Sequence, residues 1–98
     1  MYGVVEFSVV PIGTGNTSVS NYVRIAYDIL KSKNFKFEFH SMGTNVEGEI
    51  EEILKTIIEI NLKFKELGVK RVVTSIKIDY RMDKLSKIED KKQSVIKE

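Results

Sequence analysis

The stretch "FKFEFHSMGTNVEGEIEEILKTIIEI", Phe35 to Ile60, changes its hydrophobic period partway along, and that change decides the fold. Phe35, Phe37 and Phe39 alternate with Lys36, Glu38 and His40, so the segment reads as a strand with one apolar face. "MGT", Met42 to Thr44, is a turn, and Thr44 to Gly48 supplies a short returning strand. The period then becomes helical: Ile50, Ile53, Leu54, Ile57, Ile60, Phe64 and Leu67 share one stripe. Glu49, Glu51 and Glu52 suit the positive end of that helix, and Gly68 ends it as a C′ glycine.

On the N-terminal side, Tyr2 to Ile12 reads as a strand, with Val5, Phe7 and Val9 on one face and Val4, Glu6, Ser8 and Val10 on the other. "PIGTGNTS", Pro11 to Ser18, closes it, and Thr17 or Ser18 can cap a helix. The stripe of that helix is Val19, Tyr22, Val23, Ala26, Ile29 and Leu30. On the C-terminal side, Arg71 to Met82 predicts a last strand with Val72, Thr74, Ile76, Ile78 and Tyr80 facing the helices. The polar tail from Asp83 has a thin stripe of Ile88, Val95 and Ile96 and is expected to form a marginal helix or an arm that docks on a neighbour. The resulting order is βαββαβ. It predicts an α+β, ferredoxin-like fold with an antiparallel sheet, both helices on one face, and a single domain over residues 1–98.

Composition narrows the function. Net charge is +2 with Lys and Glu intermixed, so no basic nucleic-acid stripe is present. An RNA-recognition domain shares this strand order but displays aromatics on the open sheet face. Here Phe7 joins the core set and "TNVEGE" has no aromatic, which disfavours nucleic acid. The absence of cysteine excludes disulfides, thiolate metal sites and a cysteine nucleophile. The start, "MYGVVEFSVV", lacks the pattern of a signal peptide, and no apolar run approaches the roughly 20 residues of a membrane helix. A soluble cytoplasmic protein is expected. Ile58 and Leu62 form a second apolar stripe on the second helix, which points to a homo-oligomer. The charged sheet face, with Glu6, Glu38, Lys77 and Asp79, would pair across that contact, line a polar pocket between subunits, or face solvent.

The chemical motifs are weak singly. "PIGTGNTS" could present backbone amides to an anion, but it lacks the lysine of a P-loop. His40 has only Glu38 and Glu47 as nearby candidate ligands, so no metal site is assigned. No nucleophile, base and orienting group fall together, so no catalytic residue is assigned. An acylphosphatase-like use of the fold would need Arg24 with Asn16 or Asn21, and the spacing does not fit.

Three pieces in combination are more specific: "FSVVPIGTGNTSVSNYV", "HSMGTNVEGE" and "RVVTSIKIDYRMD". Together they resemble the small thiamine-binding family also called the UPF0045 group, from Val5 to about Val95. The resemblance implies a ferredoxin-like fold, dimers assembling into tetramers, and non-catalytic binding of thiamine or its pyrimidine moiety, with no other cofactor. It places Ser8, Thr17, Ser18, Met42, Gly43, Thr44 and Glu47 at the ligand. Met42 would touch a ring, Thr44 would offer a hydroxyl, and Glu47 would supply charge to the thiazolium or accept from the aminopyrimidine. The rival reading is a regulatory or structural oligomer that binds another small ligand, such as an amino acid or an anion.

Overall fold

The computed structural model describes residues 1–15, 20–83 and 87–89. Its elements are β1 (Tyr2–Ile12), α1 (Ser20–Ser32), β2 (Lys36–His40), β3 (Gly43–Glu49), α2 (Ile50–Glu66) and β4 (Arg71–Asp79). The four strands form one sheet in the order β2-β3-β1-β4, every neighbouring pair antiparallel. This is the ferredoxin-like α+β arrangement that the order of elements predicts.

Strand parity places the core. Phe7 faces Thr44 and Ile76 across the sheet, and Val5 faces Val46 and Ile78. The buried cluster joins Val5, Phe7 and Val46 to Ala26 and Leu30 of α1 and to Ile50, Ile53, Ile57, Ile60 and Phe64 of α2. Both helices therefore cover the same face. Each of these side chains larger than alanine contributes about 1.5–3 kcal/mol by leaving water. Tyr22 meets Phe64 edge-on at 5.1 Å and ties the helices together. Tyr27 lies against Phe37 and Phe39 of β2, at 5.4 and 5.5 Å between ring centres.

Both helices end through left-handed residues. Gly68, at φ 90°, donates to Lys65, and Val69 donates to Phe64, a Schellman arrangement. Leu67 consequently turns out to solvent instead of extending the core stripe. Asn34, at φ 60°, plays the same part after α1, with Phe35 donating back to Leu30. Thr56 is buried, its hydroxyl donating to the Glu52 carbonyl at 2.8 Å, so a polar residue completes the α2 core face. The last strand stops at Asp79, short of the expected Met82, because its final partner on β1 is Val4.

The opposite face of the sheet carries Glu6, Glu38, Asn45, Lys77 and Asp79 beside Val4. Ile88 is buried on this face, while the rest of the expected C-terminal stripe, Val95 and Ile96, lies outside the described residues. No helix among the described residues is long and apolar enough to cross a membrane.

Candidate functional site

Two places on the sheet hold the residues singled out by sequence. The first is the end where the β2–β3 hairpin meets β1. Pairing of β1 with β3 stops at Phe7 and Thr44, whereas β1 runs on to Ile12 with β4 alone on its other side. Beyond Phe7, no strand among the described residues pairs with the β3-side edge of β1. The hairpin tip closes one end of this gap and α1 roofs it. The result is a concavity of about 370 Å³ between Ser8–Val10, Tyr22–Val23–Ala26 and the turn from Phe39 to Thr44.

Ser8, Met42, Gly43 and Thr44 all border this concavity. The hairpin tip can come this close because Gly43 has no side chain: a Cβ there would lie 2.8 Å from the Phe7 carbonyl oxygen. Met42 is 81% exposed at the tip, and Thr44 is buried beneath it. His40 structures the turn. Its Nδ1 accepts from the Met42 N–H at 3.3 Å, and its Nε2 lies 3.3 Å from a Glu6 carboxylate oxygen. A neutral imidazole with the proton on Nε2 satisfies both. No Asp, Glu, Lys or Arg among the described residues lines the concavity. Nor do the described residues hold a cluster of three or more potential metal ligands. Thr17 and Ser18 lie outside the described residues.

The second place is Glu47. Three positions separate it from Thr44, an odd number, so the two side chains leave β3 on opposite faces. Nor does Glu47 cap α2, since Glu49 occupies that position without a side-chain cap. Glu47 is only 6% exposed and is fully engaged. The Tyr2 hydroxyl donates to one oxygen, and the Ile88 N–H donates to the other at 3.0 Å. Lys36 stands 4.0 Å away. Burial pushes this carboxyl up, but the Tyr2 and Ile88 hydrogen bonds and the charges of Lys36 and Lys87 outweigh it and hold the group below its usual range. The same bond, with burial and the charges of Glu47 and Glu49, pushes the Tyr2 phenol up to about 12. Glu47 therefore ties Ile88 and the N-terminal strand together on the open sheet face, away from the concavity. The parity signal for this was in the sequence; the two partners, 45 and 41 residues distant, were not.

Fold and concavity together define a small α+β module with an aromatic-edged cleft, suited to a small ligand, whose described lining carries no Asp, Glu, Lys or Arg. The chain belongs to the thiamine-binding protein family, whose model matches residues 5–96. Among its relatives, UPF0045 protein MJ1052 of Methanocaldococcus jannaschii is 42% identical over 94% of this chain and 90% of its own length. A UPF0045 protein of Methanothermobacter thermautotrophicus is 37% identical over 92% of each chain. The crystal structure of MJ1052 superimposes with a TM-score of 0.89 over 99% of this chain and 98% of its own, at 39% identity. A Thermotoga maritima structure described as a putative thiamine biosynthesis/salvage protein gives 0.78 over 97% of this chain and 99% of its own, at 29% identity.

Proposed function

We propose that this protein is a non-catalytic binder of thiamine or its hydroxymethylpyrimidine moiety, working as a homo-oligomer that is a dimer of dimers. The observation that carries the reading is the edge of β1 left open by the described residues, beside a cleft whose described lining carries no Asp, Glu, Lys or Arg. An aminopyrimidine presents an amino donor next to a ring-nitrogen acceptor. That pair matches the alternating N–H and C=O groups of a strand edge, while the flat ring suits the apolar walls around Tyr22, Phe39 and Met42. Ser8 and Thr44 add hydroxyls at the rim and floor. The cationic thiazolium has no counter-charge among the described residues of the cleft, so it projects outward and the pyrimidine enters. The family's description and that of the Thermotoga neighbour support the choice of ligand class.

Val23 offers the test. It lines the cleft yet is 45% exposed, so Val23→Trp fills the cavity without disturbing the core. Calorimetry of the variant should show pyrimidine binding lost or weakened by at least about tenfold, with its melting temperature unchanged. Full affinity in that variant would remove the cleft from the account.

A further inference from the structure

The hairpin tip that walls the cleft is fastened by the chain's single histidine. His40 and Gly43 pair across β2 and β3, with Ser41 and Met42 as the loop between them. Nδ1 of His40 accepts the Met42 N–H at 3.3 Å, and its Cε1 lies 3.5 Å from where a Cβ would stand on Gly43. On the other side of the ring, Nε2 lies 3.3 Å from a carboxylate oxygen of Glu6 on β1. One ring thus ties the loop to the strand beside it. The side chain is 32% exposed, so it exchanges protons with water freely. His40, Ser41, Met42 and Gly43 all line the cleft.

Histidine is the side chain whose charge changes between about pH 5 and 8. The two nitrogens of His40 respond to that change in opposite ways. Nε2 already donates toward Glu6, and a positive ring strengthens the contact. Nδ1 accepts only while the ring is neutral; once protonated, it opposes the Met42 N–H as donor against donor. The charged groups around the ring are Glu6, Lys77 across from Glu6 on β4, and Glu38 on the same face of β2. On β3, Gly43 and Asn45 carry no charge, and of the α1 residues at the cleft only Tyr22 titrates. Glu6 and Glu38 favour the cation and Lys77 opposes it. The Met42 amide is the contact that the cation gives up.

We infer that His40 is a proton switch on the cleft: protonation of Nδ1 releases the Met42 amide, loosens the hairpin tip and weakens ligand binding in mild acid. The inference concerns the regulation of the cleft and rests on the binding function proposed above. A ligand that needs the fastened tip binds only the neutral fraction, so its apparent affinity falls with that fraction. By reciprocity, bound ligand holds the ring neutral to lower pH.

His40→Asn separates the acceptor from the charge. An asparagine side-chain oxygen accepts the N–H two residues on, as in an Asx-turn, and does so at every pH. Calorimetry with hydroxymethylpyrimidine compares the two proteins at about pH 7.5 and about pH 5.5. The ligand's own ring takes up protons in acid, equally for both proteins, so the ratio of the two affinities is the quantity scored. Between these pH values the wild type should lose about three- to tenfold more affinity than His40→Asn. In ligand-free protein, the Met42 amide resonance should follow the titration of the imidazole by NMR and stay fixed in His40→Asn. Equal losses of affinity, or a Met42 amide that ignores the imidazole, overturn the switch and leave the ligand reading standing. No binding by either protein at either pH overturns the ligand reading and the switch with it.

Discussion

Replacing Glu47 with Gln tests whether this carboxylate is an anchor or a ligand contact. The wild-type group accepts from the Tyr2 hydroxyl through one oxygen and from the Ile88 N–H through the other. Hydrogen bonds to a charged acceptor contribute about 1.5–3 kcal/mol each, and ordinary ones about 1. An amide retains one acceptor at neutral strength and turns its NH₂ toward a second donor. The gross loss is therefore about 2–5 kcal/mol, partly offset because a buried charge no longer has to be desolvated. The expected net destabilisation is about 1–3 kcal/mol, read from urea unfolding followed by circular dichroism. The difference has a predicted pH dependence. Because the folded-state pKa is held below the unfolded value, the contribution is fully present above the usual carboxylate range. It is lost as pH falls through the lowered folded value, so wild type and Glu47→Gln should converge in acid. Pyrimidine affinity should remain within about twofold, since Glu47 does not line the cleft. A variant as stable as wild type that has lost ligand binding would refute the anchoring role and return Glu47 to the site.

Further outcomes follow from single features of the structure. In a spectrophotometric titration one of the four tyrosines should ionise near pH 12, and Glu47→Gln should bring that transition down toward 10. Because the raised phenol pKa stabilises the fold below about 10, that contribution should disappear as pH rises through about 12. Gly43→Ala forces a Cβ to within 2.8 Å of the Phe7 carbonyl oxygen, so the hairpin tip must shift, with a loss of about 1–3 kcal/mol in stability and weaker ligand binding by calorimetry. Ile58→Glu with Leu62→Glu puts two charges on the exposed flank of α2. Light scattering should show the assembly dissociated while circular dichroism stays native, and an intact assembly would contradict a role for that flank.

Much of this fold was legible because its elements are short and strongly periodic. The alternation of Phe35, Phe37 and Phe39, the stripe from Ile50 to Phe64, and Gly68 as a stop signal all carry local physical meaning, and the structure places them accordingly. The stop at Asn34 was less visible because asparagine takes the left-handed conformation less readily than glycine. The candidate site divides along the same line. Ser8, Met42, Gly43 and Thr44 meet at one concavity because the hairpin and β1 are neighbours in the sheet. Glu47 separates from them by strand parity, which the motif "MGTNVEGE" conceals when read as a linear unit. Its partners Tyr2 and Ile88 come from opposite ends of the chain, and only the folded topology brings them to one carboxylate.

The most direct test of the central claim is calorimetric titration of the purified protein with hydroxymethylpyrimidine, thiamine and thiamine phosphate. Saturable binding of the free pyrimidine and of thiamine is expected, with competition between the two, because the ring they share would occupy the cleft. Binding of none of the three by folded protein, or of thiamine phosphate alone through its charged end, would contradict it.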